Sequence, residues 1–198
     1  MSGLKITFNN ILFVLLAVLS AVLLISYSYF RIVKESTFRI NEPLSPELVV
    51  YVNNRVNNLP VVNGIQVVKT EMKRNVRYMI HAYQTDDNLK KLYTSFMSSR
   101  ITMEVPIFSN NFKQNLRTVK MMNHEFDCVP YTDTLSYEYV PESAKYVTTV
   151  CSISIPPAYG EFKGMLAVTL RKVPTEIEEL LVKEMLIDLS DKIYSEIR

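Results

Sequence analysis

The densest set of reactive side chains is His124-Glu125-Phe126-Asp127-Cys128, which puts an imidazole, two carboxylates and a thiol within five residues. Two chemistries use such groups. A thiol nucleophile needs a histidine next to it in space to take its proton, and the chain offers only His81 and His124. His81 falls in a strand-like run, where a half-buried, hydrogen-bonded imidazole accounts for it. Structural zinc wants four nitrogen or sulfur ligands, commonly delivered as two close pairs; here Cys151 would have to complete the set together with a carboxylate. The residues therefore assign no metal site and no catalytic set. With four glycines in the chain, neither G-x-G-x-x-G nor G-x-x-x-x-G-K-S/T occurs, so there is no phosphate-cradling loop of either kind. The expectation is a protein that is not an enzyme and carries no cofactor.

Cys128 and Cys151 are the only two cysteines. An oxidising compartment would let them pair as a disulfide, and two separate buried thiols account for them equally well. Charge excludes a further class. The chain carries +2, of which the first forty residues supply four bases and one acid, leaving −1 on the remainder. No nucleic-acid partner is expected from that balance.

These groups must be held by elements, and the first is not part of a globular core. Between Lys5 and Arg31 there is no charged residue. The run Ile11 to Phe30 is apolar enough to span about 30 Å of hydrocarbon as a helix, and it ends in Tyr27, Tyr29 and Phe30, which suit a membrane interface. A cleaved secretory signal is the competing reading, against which no A-x-A site follows. Ala17 and Ala21 lie four apart with Ser20 on nearly the same face. Small residues at that spacing let helices pack closely in lipid, so the run could drive self-association or serve as a plain anchor. The chain thus divides into a tail at 1–10, a transmembrane helix at 11–30, a juxtamembrane connector at 31–42 and a globular domain at 43–198. Arg31, Lys34 and Arg39 against Lys5 lean towards a cytoplasmic domain, whereas the short N-terminus and the cysteines lean the other way.

In the domain, Ser45-Pro46-Glu47 reads as a helix start, with a face of Leu48, Val49, Val52 and Val56 running to about Asn58. Asn63-Gly64 between Leu59–Val62 and Ile65–Lys69 predicts a tight hairpin turn, followed by a strand at Val76–Tyr83. Leu89, Leu92, Tyr93, Phe96 and Met97 repeat with helical spacing after Thr85-Asp86-Asp87. Ile101–Phe108 reads as a strand broken by Pro106, and 109–144 as long loops. Tyr146–Ile155 and Phe162–Lys172 predict a hairpin around Pro156–Gly160. A last helix begins with the capping box Thr175-x-x-Glu178, its face being Ile177, Leu181, Met185, Leu189, Ile193 and Ile197. The sum is an α+β domain with an antiparallel sheet of about five strands packed by helices.

The stretches Tyr146-Val147-Thr148-Thr149-Val150-Cys151-Ser152-Ile153 and Tyr159-Gly160-Glu161-Phe162-Lys163-Gly164-Met165-Leu166-Ala167-Val168, followed by an acidic helix, resemble the C-terminal part of the holins of T-even bacteriophages. That resemblance implies a host-cell lysis protein of the bacterial inner membrane. Its helices would gather into pores in the lipid bilayer, and its periplasmic domain would receive an antiholin-like regulator. Cys151 matches the holins' strand cysteine, while their second cysteine, in the last helix, has no counterpart here, so Cys128 would be a substitute partner. The same cysteine- and glycine-bearing hairpin is similar to those of GAF- and PAS-like sensor domains. That second resemblance implies a membrane-tethered sensory or adaptor domain with a ligand pocket. A structural membrane component of a virion or secretion assembly is a third reading.

Overall fold

The computed structural model describes residues 17–24, 26, 44–100, 105–108 and 110–197, and of 95–100 the backbone alone. Within the apolar run 11–30, residues 17–24 and 26 are described, as helix; the remainder of that run, the tail 1–10 and the connector 31–42 lie outside the described residues. Among the described residues no helix is long and apolar enough to cross a membrane. The single-pass transmembrane reading is corrected accordingly: no described helix carries it.

Residues 43–198 form a compact unit. Helix α1 (Pro46–Asn57) starts where the Ser45 hydroxyl accepts the Leu48 N–H and Pro46 occupies the first turn, and it buries Leu48, Val52 and Val56. Strands β1 (Val62–Glu71) and β2 (Val76–Gln84) follow. The predicted turn at Asn63-Gly64 does not form, because β1 runs straight through it. Gly64 pairs with Gln84, and a Cβ there would fall 2.4 Å from the Tyr83 carbonyl oxygen. This glycine serves close backbone approach rather than a turn. The left-handed asparagine of the hairpin is Asn75, at φ 54°, after a 3₁₀ turn at Met72–Arg74.

Helix α2 (Asp87–Arg100) begins where the Asp86 carboxylate accepts the N–H groups of Asn88 and Leu89. The next strand, β3, is only Val105–Pro106. The region read as loops contains a helix, α3 (Phe112–Met122), capped by Asn111, then strand β4 (Asp127–Pro130) and a short helix α4 (Leu135–Tyr139) between 3₁₀ turns. The predicted hairpin is β5 (Thr149–Ile155) with β6 (Gly164–Leu170). Helix α5 (Glu176–Glu196) begins at the predicted capping box, with both reciprocal bonds of Thr175 and Glu178 in place.

The strands make one six-stranded sheet, order β3-β2-β1-β6-β5-β4, antiparallel at each pairing. Alternation along the strands sends opposite sets of side chains to its two faces. One face carries Ile65 and Val67 of β1, Cys151, Ile153 and Ile155 of β5, and Leu166, Val168 and Leu170 of β6. α1 and α5 cover it, and together they form the main core. The α5 side chains turned to it are Val182, Met185, Leu186, Leu189, Ser190 and Ile193. Ile177 and Leu181, placed by the sequence on that face, are exposed.

Candidate functional site

The other face of the sheet is chemically different. The alternate positions of the same strands turn Gln66, Val68, Arg77, Met79, Val150, Met165 and Ala167 towards a cavity of about 120 Å³. A water molecule needs only roughly 10–15 Å³ by the same measure, so the space suits a small organic molecule. Helix α3 and the segment from Thr134 to Val140 close it from above.

The roof is fixed by hydrogen bonds. The Thr134 hydroxyl donates to the Tyr131 carbonyl at 2.7 Å and accepts the Tyr137 N–H at 3.3 Å, capping α4. The Tyr131 hydroxyl donates to the Val140 carbonyl at 2.9 Å. Gln114 of α3 donates to the Asp133 carbonyl at 2.6 Å, which ties the helix to the roof. On the floor, Gln66 donates to the Tyr93 hydroxyl at 2.9 Å and accepts from Ser136 at 3.3 Å. Burial above all pushes the Tyr93 phenol well above its usual range, so it stays neutral.

Helix α3 is inverted relative to an ordinary surface helix. Gln114, Arg117, Thr118 and Met121 are buried, while Phe112, Leu116 and Val119 face outward. Arg117 therefore projects into the cavity from above, where one guanidinium nitrogen donates to the Ser152 hydroxyl. Arg77 reaches the same cavity from β2. Both are buried, at 7% and 8% exposure for Arg77 and Arg117. Nε and Nη2 of Arg77 and Nε of Arg117 have no hydrogen-bond partner among the described residues. Burial lowers the pKa of each. For Arg117 it is pushed down to about 10, the nearby Arg77 charge adding to the effect and Asp127 opposing it. For Arg77, Tyr139 and Glu138 oppose the effect of burial. Both remain cations at neutral pH.

The cluster that drew attention in the sequence is dispersed by the fold. His124 sits at φ 60° with Nδ1 2.9 Å from the Pro156 carbonyl and 3.1 Å from the Ser154 hydroxyl. Asp127 accepts from Lys120 at 3.1 Å, Phe126 packs on the main core, and Glu125 is exposed. Cys128 of β4 and Cys151 of β5 stand opposite each other in register and are joined as a disulfide, 23 residues apart in sequence. Cys128 is therefore not a free thiol. His81 lies with α1, its Nε2 3.1 Å from Asn53 Oδ1. Among the described residues no group of three or more His, Cys, Asp or Glu could hold a metal ion. Ala17, Ser20 and Ala21 belong to the described helical stretch 17–24, where the Ser20 hydroxyl donates to the Ala17 carbonyl at 3.0 Å. Arg77 and Arg117 were not singled out by sequence reasoning. The available signal was an arginine at the same strand parity as Met79, and another on the polar side of a helix whose apolar side is exposed.

No family model matches the chain, and no curated protein does. Solved structures do resemble the domain. A GAF domain/HD domain protein from Geobacter sulfurreducens superposes with a TM-score of 0.50 at 13% identity, covering 75% of this chain and 90% of that one. The GAF domain of a two-component sensor histidine kinase from Bacillus halodurans gives 0.51 at 12% identity, covering 79% and 95%. A far-red cyanobacteriochrome photoreceptor gives 0.51 at 11% identity, covering 87% and 99%. The fold is GAF-like, and at these identities the likeness extends to the fold alone. The bacteriophage holin and host-cell lysis reading is corrected by this finding, since the holin resemblance has no support among these structures. The hairpin that carried it is β5–β6 at the centre of a GAF-like sheet. Its Gly164 is there because a Cβ would meet the Val68 carbonyl oxygen at 2.0 Å, and its cysteine pairs with a neighbouring strand.

Proposed function

We propose that the chain is a sensory domain that binds a small molecule in the cavity beneath α3. The observation that carries this is the division of labour across the sheet. One face is packed solid with aliphatic side chains, whereas the other keeps an open, mixed polar and apolar space, the usual composition of a binding pocket. The GAF-like fold supports the reading, because the resembling structures include the GAF domain of a sensor histidine kinase. The apolar composition of 11–30 supports tethering the domain to a bilayer; recovery of the full chain from cells in the soluble fraction would remove that tether from the proposal.

The test is occupancy. Native mass spectrometry of the full chain, purified in mild detergent, should show a retained small molecule, or a panel of metabolites should raise its melting temperature. Ala167 lies on the cavity floor and is 7% exposed, so Ala167→Phe should fill the space and abolish that response while the domain stays folded. A chain that retains nothing and responds to no metabolite, or a response that Ala167→Phe leaves intact, would count against the pocket.

A further inference from the structure

Taking the cavity to be the ligand site, as proposed above, we infer that its occupant is a small organic or inorganic anion whose carboxylate or phosphate is held between Arg77 and Arg117. Burying a guanidinium is tolerable when its N–H groups are paired, and costly when they are not. Here two guanidinium groups line one cavity and three of their nitrogens lack partners among the described residues. The carboxylates whose fields reach them are engaged elsewhere. Asp127 is ion-paired with Lys120 at 3.1 Å, and Glu138 accepts from Asn111 at 2.8 Å.

The two cations also repel each other, and the acidic groups near them, shared with Lys120 and Asn111, offset desolvation and repulsion only in part. One anion between them would answer both, and the fork of an arginine matches carboxylate or phosphate oxygens in pairs. A neutral ligand could accept from the orphaned donors through a carbonyl oxygen, but it would leave the two charges and their repulsion unanswered. The remaining lining supplies apolar contact from Val68, Met79 and Met165, while the hydroxyls of Thr118, Thr134 and Ser136 already donate to groups of the protein. That combination fits a charged head carried on a short apolar body.

Thermal unfolding of the full chain, at matched ionic strength and with chloride as the only other anion, would test this with three probes: inorganic phosphate, succinate and the neutral succinamide. Phosphate or succinate should raise the melting temperature saturably and succinamide should not; which of the two anions acts separates a tetrahedral from a planar head. Arg77→Gln and Arg117→Gln should each weaken the apparent affinity about tenfold or more, the loss expected for a hydrogen bond to a charged group. Without added anion, Arg77→Gln should melt no lower than the parent, because it removes an unpaired buried charge. Should Arg77→Gln fail to fold, Arg77→Lys keeps the charge, loses the fork and should weaken binding less. Equal shifts with succinate and succinamide, unchanged by either glutamine variant, would overturn the anion assignment while leaving the pocket occupied. No shift with phosphate or succinate would overturn it as well, the pocket then resting on the native mass spectrum alone.

Discussion

Leu166 and Ala167 are neighbours in β6, yet they belong to two different materials. Leu166 is fully buried among the aliphatic side chains beneath α1 and α5, and Ala167 helps floor a cavity with two arginines. Every central strand repeats the contrast: Val67 against Gln66 in β1, and Ile153 against Ser152 in β5. One face holds the domain together, since each buried aliphatic side chain contributes about 1.5–3 kcal/mol. The other face gives up part of that stabilisation to keep polar and charged groups indoors, which is where binding chemistry becomes available. The pleat of a strand is enough to keep the two roles apart while sharing one backbone.

The contrast can be broken on the packed side first. Leu166→Ala should cost about 4 kcal/mol, transfer and cavity terms together, read as a shift in denaturant midpoint at constant slope. A cost under about 1 kcal/mol would mean that this face is not the stabilising one. Next in size is the disulfide, which pins edge strand β4 to β5 across a gap of 23 residues. Reduction should lower stability by about 3 kcal/mol through the freed loop, measured as the difference in unfolding midpoint with and without a thiol reductant. If reduction left the midpoint in place, hydrogen bonds alone would hold the cavity roof.

The smallest effect sharpens the difference in charge. Burial on the helix side holds His81 below its ordinary value of 6.5, so the fold favours the neutral ring. Below pH 6.5 the unfolded chain then binds more protons than the folded one. The stability linked to His81 is present above that pH and is lost as pH falls towards the folded value. His81→Gln should flatten this part of a stability-against-pH curve, and an unchanged slope would place the titration elsewhere.

How much of this was legible depended on whether burial followed polarity. Where apolar residues are the buried ones, sequence reading worked: Leu48, Val52 and Val56 define α1, Leu89 and Tyr93 define one side of α2, and the capping box at Thr175 begins α5. Where burial and polarity part company, it failed. Helix α3 hides Gln114, Arg117 and Thr118 and shows Phe112, Leu116 and Val119 to the outside, so its region read as loops. Ile177 and Leu181 continue a helical apolar pattern that the core does not use. Asn63-Gly64 carried the composition of a turn, but the need was for a residue with no Cβ beside the Tyr83 carbonyl. A ligand pocket was implied by the GAF- and PAS-like resemblance, but its two arginines were missed for the same reason as α3, because they are polar residues in buried places. The five-residue cluster at His124–Cys128 drew attention because its groups are close in sequence, whereas the fold sends them to separate partners.

The disulfide also changes what damage to the cavity roof would mean. Cys128 and Cys151 lie at the two ends of the segment that contains Tyr131, Thr134, α4 and Val140, so the roof is a covalently closed ring of chain. A single cut within it, for example after the exposed Lys145, would release no fragment: both halves of the molecule would stay joined through the sulfurs. Such a nick would open the roof on one side without shedding it, and the protein would keep its mass, apart from one added water, until a reductant separated the halves.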